Sequence, residues 1–139
     1  MKTYKIKTHR KGSHYQTSHF YVLNKGKNAG RPSKKPYCNS FVVFANNELQ
    51  TEKLFWICNI LHQGDYFKPY LVGSRMEYIH IGSVKKLFDE ALKRYYGNHW
   101  EERFKVLQRI EKAERDLKRQ ADNIRKHKIL LMRSYERKL

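Results

Sequence analysis

No aspartate or glutamate occurs before Glu48, so the first 47 residues carry ten lysines and arginines with no acid to offset them. A soluble surface ordinarily intersperses both signs, and a one-sign stretch of this length is a biased choice. It excludes carboxylate chemistry from that part of the chain and points to a negatively charged partner. Cysteine is nearly as scarce: Cys38 and Cys58 stand alone, with no CxxC pair. That spacing argues against a disulfide framework and a zinc site, and both thiols are expected to be free and buried in a reducing compartment. Long apolar runs are missing too. None approaches the roughly 20 residues that a bilayer-spanning helix requires, and no basic n-region leads into an apolar segment with a small-residue cleavage site. The expectation is a soluble, cytoplasmic protein with no membrane partner.

What is present is charge and aromatic bulk. The 139 residues carry a formal charge of +17, from 30 Lys and Arg against 13 Asp and Glu, yet 40% are hydrophobic and 14% aromatic. A basic disordered tail has far fewer apolar residues, so this chain should fold. Its length suits one globular unit with an appendage, read as a basic α+β domain over residues 1–98 and a helical arm over 99–139. The positive field sits at the two ends. Residues 48–100 hold seven bases and six acids, and residues 101–139 hold thirteen bases and seven acids.

Periodicity predicts the elements. Residues 3–8 alternate Tyr4 and Ile6 with Lys5 and Lys7, the pattern of a strand with one wet face. His19–Leu23 reads as a second strand, with polar residues 9–18 around Gly12 as a long hairpin loop between the two. Residues 39–44, with Phe41-Val42-Val43-Phe44, suit a central strand buried on both faces. From 49 to 62 the period changes and Leu54, Ile57, Cys58 and Leu61 share one helix face, stopped by Gly64. Met76, Tyr78 and His80 alternate with Glu77, Ile79 and Ile81, which predicts a further strand. Ser83 is the expected N-cap of a helix over 84–96, striped by Val84, Leu87, Phe88, Ala91 and Leu92 and stopped by Gly97-Asn98. The fold class is therefore α+β: a small, mostly antiparallel sheet with two packed helices, followed by a long C-terminal helix or helical hairpin.

Neither glycine nor proline interrupts the chain from His99 onward. Leu107, Ile110, Glu114, Leu117, Ala121, Ile124, Lys128, Leu131 and Tyr135 follow a 3,4 spacing, which predicts one helix of about 60 Å or two with a break near Ala121. Glu114 and Lys128 occupy positions where a strong coiled coil has Leu or Ile. The arm is expected to pack on its own domain, to form a weak homodimer, or to lie on nucleic acid, with Leu107, Ile110, Leu117, Ile124 and Leu131 as its docking face.

The sharpest local signal is residues 24–37, where Lys25, Lys27, Arg31, Lys34 and Lys35 accompany Gly26, Gly30, Pro32 and Pro36. Glycines let a backbone approach phosphate, prolines limit ordering entropy, and the cations neutralise phosphate charge. Asn28 and Asn39 add hydrogen bonds to sugar or base edges. The segment lacks the Gly-Lys-Ser/Thr of a Walker loop and is no Rossmann turn, so an NTP site is not expected. Tyr4, Tyr15, Phe20, Tyr21 and Tyr37 interleave with the bases. Phe20, Phe41 and Phe44 read as core, and Tyr15 and Tyr37 as rings on which unpaired bases stack. With Arg10 and Lys11, the expected nucleic-acid-binding set is Arg10, Lys11, Tyr15, Lys25, Lys27, Asn28, Arg31, Lys34, Lys35 and Tyr37.

Catalytic constellations are absent from this reading. His9, His14 and His19 recur every five residues, which fits neither one helix face nor one strand face, and no thiol or carboxylate lies nearby to complete a metal set. Asp65 and Glu77 lack the nearby lysine of a metal-dependent nuclease, and Asp89-Glu90 belongs to an amphipathic helix. No catalytic residue, metal or cofactor is expected.

Through Asn24-Lys25-Gly26, Asn28, Gly30, Pro32, Pro36, Asn39 and Phe41, and again through Gly73-Ser74, the chain resembles a small uncharacterised family found in Bacteroidetes and their mobile elements. It departs at Arg75-Met76 and Glu77-Tyr78, where that family has apolar Val-Ile and Pro-Phe, so the resemblance implies a rearranged strand there. In the order of its parts, from residues 67–81 through Val84-Lys85-Lys86-Leu87 to Lys128-Ile129-Leu130-Leu131, it is also similar to a target-recognition domain with its spacer helix in type I restriction specificity subunits. That similarity implies base reading and helix pairing.

The functional expectation is a non-enzymatic protein that binds nucleic acid, RNA somewhat before DNA, through its basic N-terminal sheet and the 25–36 loop. The alternative is a phage or mobile-element factor of anti-CRISPR type, which inhibits a host RNA-guided nuclease by binding the effector or its guide RNA. Either way the partner is nucleic acid or a nucleic-acid-containing complex.

Overall fold

The computed structural model describes residues 4–95 and 100–138. The expectations that fell on Thr3, Tyr96, Gly97, Asn98 and His99 lie outside the described residues. Two compact units are present, Met1–Asn98 and His99–Leu139.

The first unit is an α+β fold built on a four-stranded antiparallel sheet. Its strands are β1 (Tyr4–Thr8), β2 (His19–Leu23), β3 (Pro32–Ser33) and β4 (Ser40–Ala45). Their order across the sheet is β1-β4-β2-β3. β1 and β2 therefore do not form the expected hairpin: β4 lies between them and pairs with both. The reason is visible in β4 itself. Phe41, Val42 and Val43 project to both faces and all three are buried, and only a central strand encloses both of its faces. Residues 9–18 are thus a crossing connection, not a turn.

Strand alternation gives the sheet two unlike faces. The register Ile6↔Val43 and Phe20↔Val43 sends Tyr4, Ile6, Phe20, Val22, Phe41 and Val43 to one side. Two helices cover that side: α1 (Glu48–Gln63) packs on β2, β3 and β4, and α2 (Ile81–Tyr95) packs on β1. The Phe20 and Phe55 rings meet edge to face at 5.6 Å, as do Tyr4 and Phe88 at 5.7 Å.

Helix α1 starts and stops as its sequence dictates. The Asn47 side chain accepts from the Gln50 N–H at 2.8 Å, and Glu48 complements the positive helix end. At the far end Tyr66 N–H reaches the Leu61 carbonyl and Asp65 N–H the His62 carbonyl, a Schellman closure. The left-handed residue of that closure is Asp65, φ 60°, rather than Gly64.

Three expectations need correction. Residues 76–81 form no strand: Tyr78 makes isolated bridges to Val72 and Lys25, and the chain enters α2 at Ile81. The alternation there had only one buried member, Ile79, whereas Met76 and Tyr78 are exposed, so no apolar face existed to be laid on the sheet. Ser83 is not an N-cap but the third residue of α2, whose first turn closes on the His80 carbonyl through Ser83 N–H and Val84 N–H. Finally Cys38 is exposed, because it lies in the solvated approach to β4, whereas Cys58 is buried.

The second unit is a single helix, α3 (Trp100–Lys138), with no break at Ala121. Its 39 residues extend about 58 Å.

Candidate nucleic-acid interface

The sheet face opposite the helices carries Lys5 and Lys7 from β1, His19 and Tyr21 from β2, and Val42 and Phe44 from β4, in the cross-strand register Lys5↔Phe44↔His19 and Lys7↔Val42↔Tyr21. No helix covers it. Residues 9–18 cross it and lay Tyr15 among its rings. Tyr15 lies 5.1 Å from Phe44, 5.3 Å from His19 and 5.6 Å from His9 between centroids, and His9 lies 5.0 Å from Tyr21, all in tilted or edge-on contact. The Lys7 ammonium stands 5.3 Å from the Tyr15 ring and 5.5 Å from Phe44, in cation–π range. Tyr15, His19 and Phe44 remain half-buried, and Lys5 and Lys7 are exposed. Phe44 was expected in the core; the parity of β4 puts it here instead.

Several polar atoms of this cluster pair with one another or with the backbone. His19 Nδ1 lies 2.6 Å from the Thr17 carbonyl, which only accepts, so Nδ1 carries the proton. In the neutral imidazole Nε2 then accepts from the Tyr21 hydroxyl at 3.2 Å. His9 Nδ1 pairs with the Tyr15 hydroxyl at 2.9 Å. Burial, and after it the neighbouring Tyr15, raise the Tyr21 phenol above its ordinary range and keep it a neutral hydroxyl. His9 and His19 therefore meet in one ring platform, which their five-residue spacing did not reveal, while His14 stays exposed. His9 Nδ1, both His19 ring nitrogens and the Tyr15 and Tyr21 hydroxyls are thus engaged in hydrogen bonds.

Two cationic margins flank the rings. At one edge of the sheet, Tyr4, Lys5, Ile6, Lys7, Phe44 and Lys85 line an open groove of about 370 Å³ along β1. The Tyr4 hydroxyl anchors its floor by donating to Asp89 at 2.7 Å, and burial first, then that carboxylate, raise its pKa. At the other edge, residues 24–37 run from β2 through β3. At about 4.8 Å per strand the four strands span about 14 Å, with the rings on the two central ones.

Residues 24–37 are not the pliant loop that their composition suggests. Gly26 adopts φ 89° and its N–H is taken by the Glu77 carbonyl at 2.7 Å. Gly30, φ 98°, gives its N–H to the Leu23 carbonyl at 2.7 Å, and its own carbonyl accepts the Cys58 thiol at 3.2 Å. A Cβ on Gly30 would sit 2.3 Å from the Phe67 ring. The close approach that glycine permits is thus to Phe67, and neither glycine amide remains for a phosphate. What faces solvent is the side chains: Lys25, Lys27, Asn28, Arg31 and Lys35 are exposed, as is Tyr37 at 41%. Lys34 is engaged otherwise, paired with Glu52 and standing 4.2 Å over the Phe55 ring. Arg31 lies near His62 of α1, where burial first and then the guanidinium hold the imidazole below its usual pKa, against an opposing pull from Asp65. Arg10 and Lys11 are exposed beside the turn that Ser13 N–H closes on the Arg10 carbonyl.

The structure thus brings Tyr15 into the platform and leaves the loop cations at a separate margin. Sequence reasoning missed Lys5, Lys7, His9, His19, Tyr21, Phe44 and Lys85. The one available signal was parity, since Lys5 and Lys7 alternate with core residues in β1. Which residues of other strands share their face depends on strand order, which parity does not contain. Among the described residues no group of three or more His, Cys, Asp or Glu is placed to hold a metal ion, and no helix is long and apolar enough to cross a membrane.

No curated protein and no solved structure matches this chain. A family model does, over residues 6–134, from within β1 through the other strands, both packed helices and most of α3. By that match the chain belongs to the DUF6943 family, a family of unknown function.

Proposed function

We propose that this protein binds nucleic acid, RNA before DNA, across the sheet face opposite α1 and α2 and without chemistry of its own. The observation that carries the reading is the half-open ring platform of Tyr15, His19 and Phe44, flanked by exposed cations in a part of the chain that has no carboxylate before Glu48. Rings accept the faces of unstacked bases and cations follow the phosphates, the combination by which single strands are held. Engagement of His9 Nδ1, both His19 nitrogens and the two tyrosine hydroxyls in hydrogen bonds supports binding without cleavage.

The test is fluorescence anisotropy with labelled single-stranded RNA, single-stranded DNA and duplex across a salt series. Each phosphate contact contributes about 0.7 to the slope of log affinity against log salt on a single strand. Joint replacement of Lys25, Lys27, Arg31 and Lys35 by alanine is expected to flatten that slope by two to three units, at about 0.7 per contact. An unchanged slope rejects the loop as a contact surface. Intact labelled RNA and DNA after incubation with divalent cations accord with the non-enzymatic reading, and cleavage rejects it.

The same exposed cations fit a second occupant of this surface, a host RNA-guided nuclease or its guide RNA. Pull-down from a nuclease-treated lysate separates the two. A protein partner that survives treatment favours the second reading, and loss of every partner favours the first.

A further inference from the structure

Helix α3 carries a row of apolar side chains that are exposed among the described residues. Ile110, Leu117, Ile124 and Leu131 follow one another at intervals of seven, and each is between 57% and 70% exposed. Residues seven apart on a helix lie on nearly the same line, so these four form one edge of a seam about 32 Å long. The other edge, offset by half a heptad, is Leu107, Glu114, Ala121, Lys128 and Tyr135. Its chemistry is symmetric about the small Ala121: one acid and one base, each a heptad away, and then one large apolar residue beyond each.

We propose that α3 pairs with the α3 of a second copy of this chain, running antiparallel, with the two-fold axis close to Ala121. In that arrangement Glu114 of each helix falls within about one turn of Lys128 on the other, and the pair occurs twice by symmetry. The four seven-spaced apolar residues of one helix then meet those of its partner around these ionic layers. A parallel, in-register pair does the reverse, because it stacks Glu114 on its own copy and Lys128 on its own copy inside the seam. The remaining charge agrees. Residues 100–122 hold seven bases and six acids, whereas residues 123–138 hold six bases and one acid. Antiparallel pairing sets each strongly basic end beside a balanced one, and parallel pairing brings the two basic ends together. Glu114 and Lys128, which weaken the seam as a generic coiled coil, are on this view what sets its direction and register. The same six acids make the first half of α3 a poor track for a polyanion.

The test uses the full chain freed of nucleic acid, with sedimentation or light scattering over a concentration series. The wild-type chain is expected to dimerise at micromolar concentration. Glu114→Lys and Lys128→Glu each place like charges across the seam and are expected to weaken the dimer about tenfold or more. Lys128→Glu does so although it lowers the overall positive charge, which by itself favours association. The double exchange restores the pairs with their signs reversed, and with them the wild-type affinity. A chain that stays monomeric at high micromolar concentration overturns the proposal. So does a dimer that the single reversals leave unchanged, which is the result for a parallel seam or for association through the sheet. Circular dichroism of each variant, at exposed positions where the fold should be indifferent, confirms that helicity is kept.

Discussion

The two faces of the sheet are made by the same four strands from alternate residues, yet they are enclosed differently. Phe20, Val22 and Val43 on the helix side are fully buried, and α1 and α2 seal them against water. Across the backbone Val42 and Tyr21 are buried too, but Phe44 and His19 are only half-buried beneath Tyr15 and the connection that carries it, with Lys5 and Lys7 at the margin. A helix brings a whole apolar stripe to a sheet, whereas residues 9–18 bring one ring and a set of polar side chains. One face therefore holds the fold together, and the other keeps aromatic surface and charge available at a modest cost in burial.

The largest expected effect that tests this contrast is truncation of one ring on each side. Phe20→Ala removes a fully buried ring from its contact with Phe55 and is expected to lower unfolding free energy by about 3–5 kcal/mol. Phe44→Ala, on the half-open face, is expected to lower it by about 1–2 kcal/mol while weakening nucleic-acid binding. Urea unfolding measures both, and equal losses would erase the distinction between the faces.

Next in size are the two glycines of residues 24–37. Gly30→Ala combines a left-handed backbone with a Cβ in the Phe67 ring and should cost about 3 kcal/mol. Gly26→Ala has the same kind of backbone but open space around it, and should cost about 1 kcal/mol. If the two cost the same in thermal or urea unfolding, the segment is as loose as its composition suggests.

On the open face alone, Lys5→Gln with Lys7→Gln is expected to leave stability within about 0.5 kcal/mol of wild type. The same pair should reduce the salt slope of single-strand binding by about 1.4. A stability loss with an unchanged slope would assign these lysines to the fold.

The smallest effect concerns pH, and it belongs to the enclosed side. His62 is held below its ordinary pKa by burial and by Arg31, so below about pH 6.5 the unfolded chain binds a proton that the folded chain still resists. Stability is therefore full above that pH and declines as pH falls toward the depressed folded value. His62→Gln should flatten the decline in urea titrations between pH 7.5 and 5.5. An identical decline in the variant would place the titrating group elsewhere.

Much of the fold was legible because local patterns name their own structure. Phe41-Val42-Val43-Phe44 announced a central strand, the stripe through Leu54, Ile57, Cys58 and Leu61 announced α1, and the unbroken run after His99 announced α3. The alternation at 76–81 misled because alternation is evidence of a strand only when one phase is apolar enough to bury, and there only Ile79 was. At the candidate site the exposed cations of residues 25–35 were legible as charge. Their backbone was not, since a glycine reads alike whether it opens toward a phosphate or, as Gly30 does, toward a phenyl ring.

By itself the sequence determined the sign and placement of the charge, the parity of each strand and the seven-residue rows of α3, because each of these is a property of spacing along one chain. Only the tertiary structure decided that β4 separates β1 from β2, that Tyr15 joins His9, His19, Tyr21 and Phe44 in one cluster, and that the glycine amides are engaged internally. Those depend on which distant segments meet, and that is settled by the competition of whole faces for burial rather than by any local run of residues.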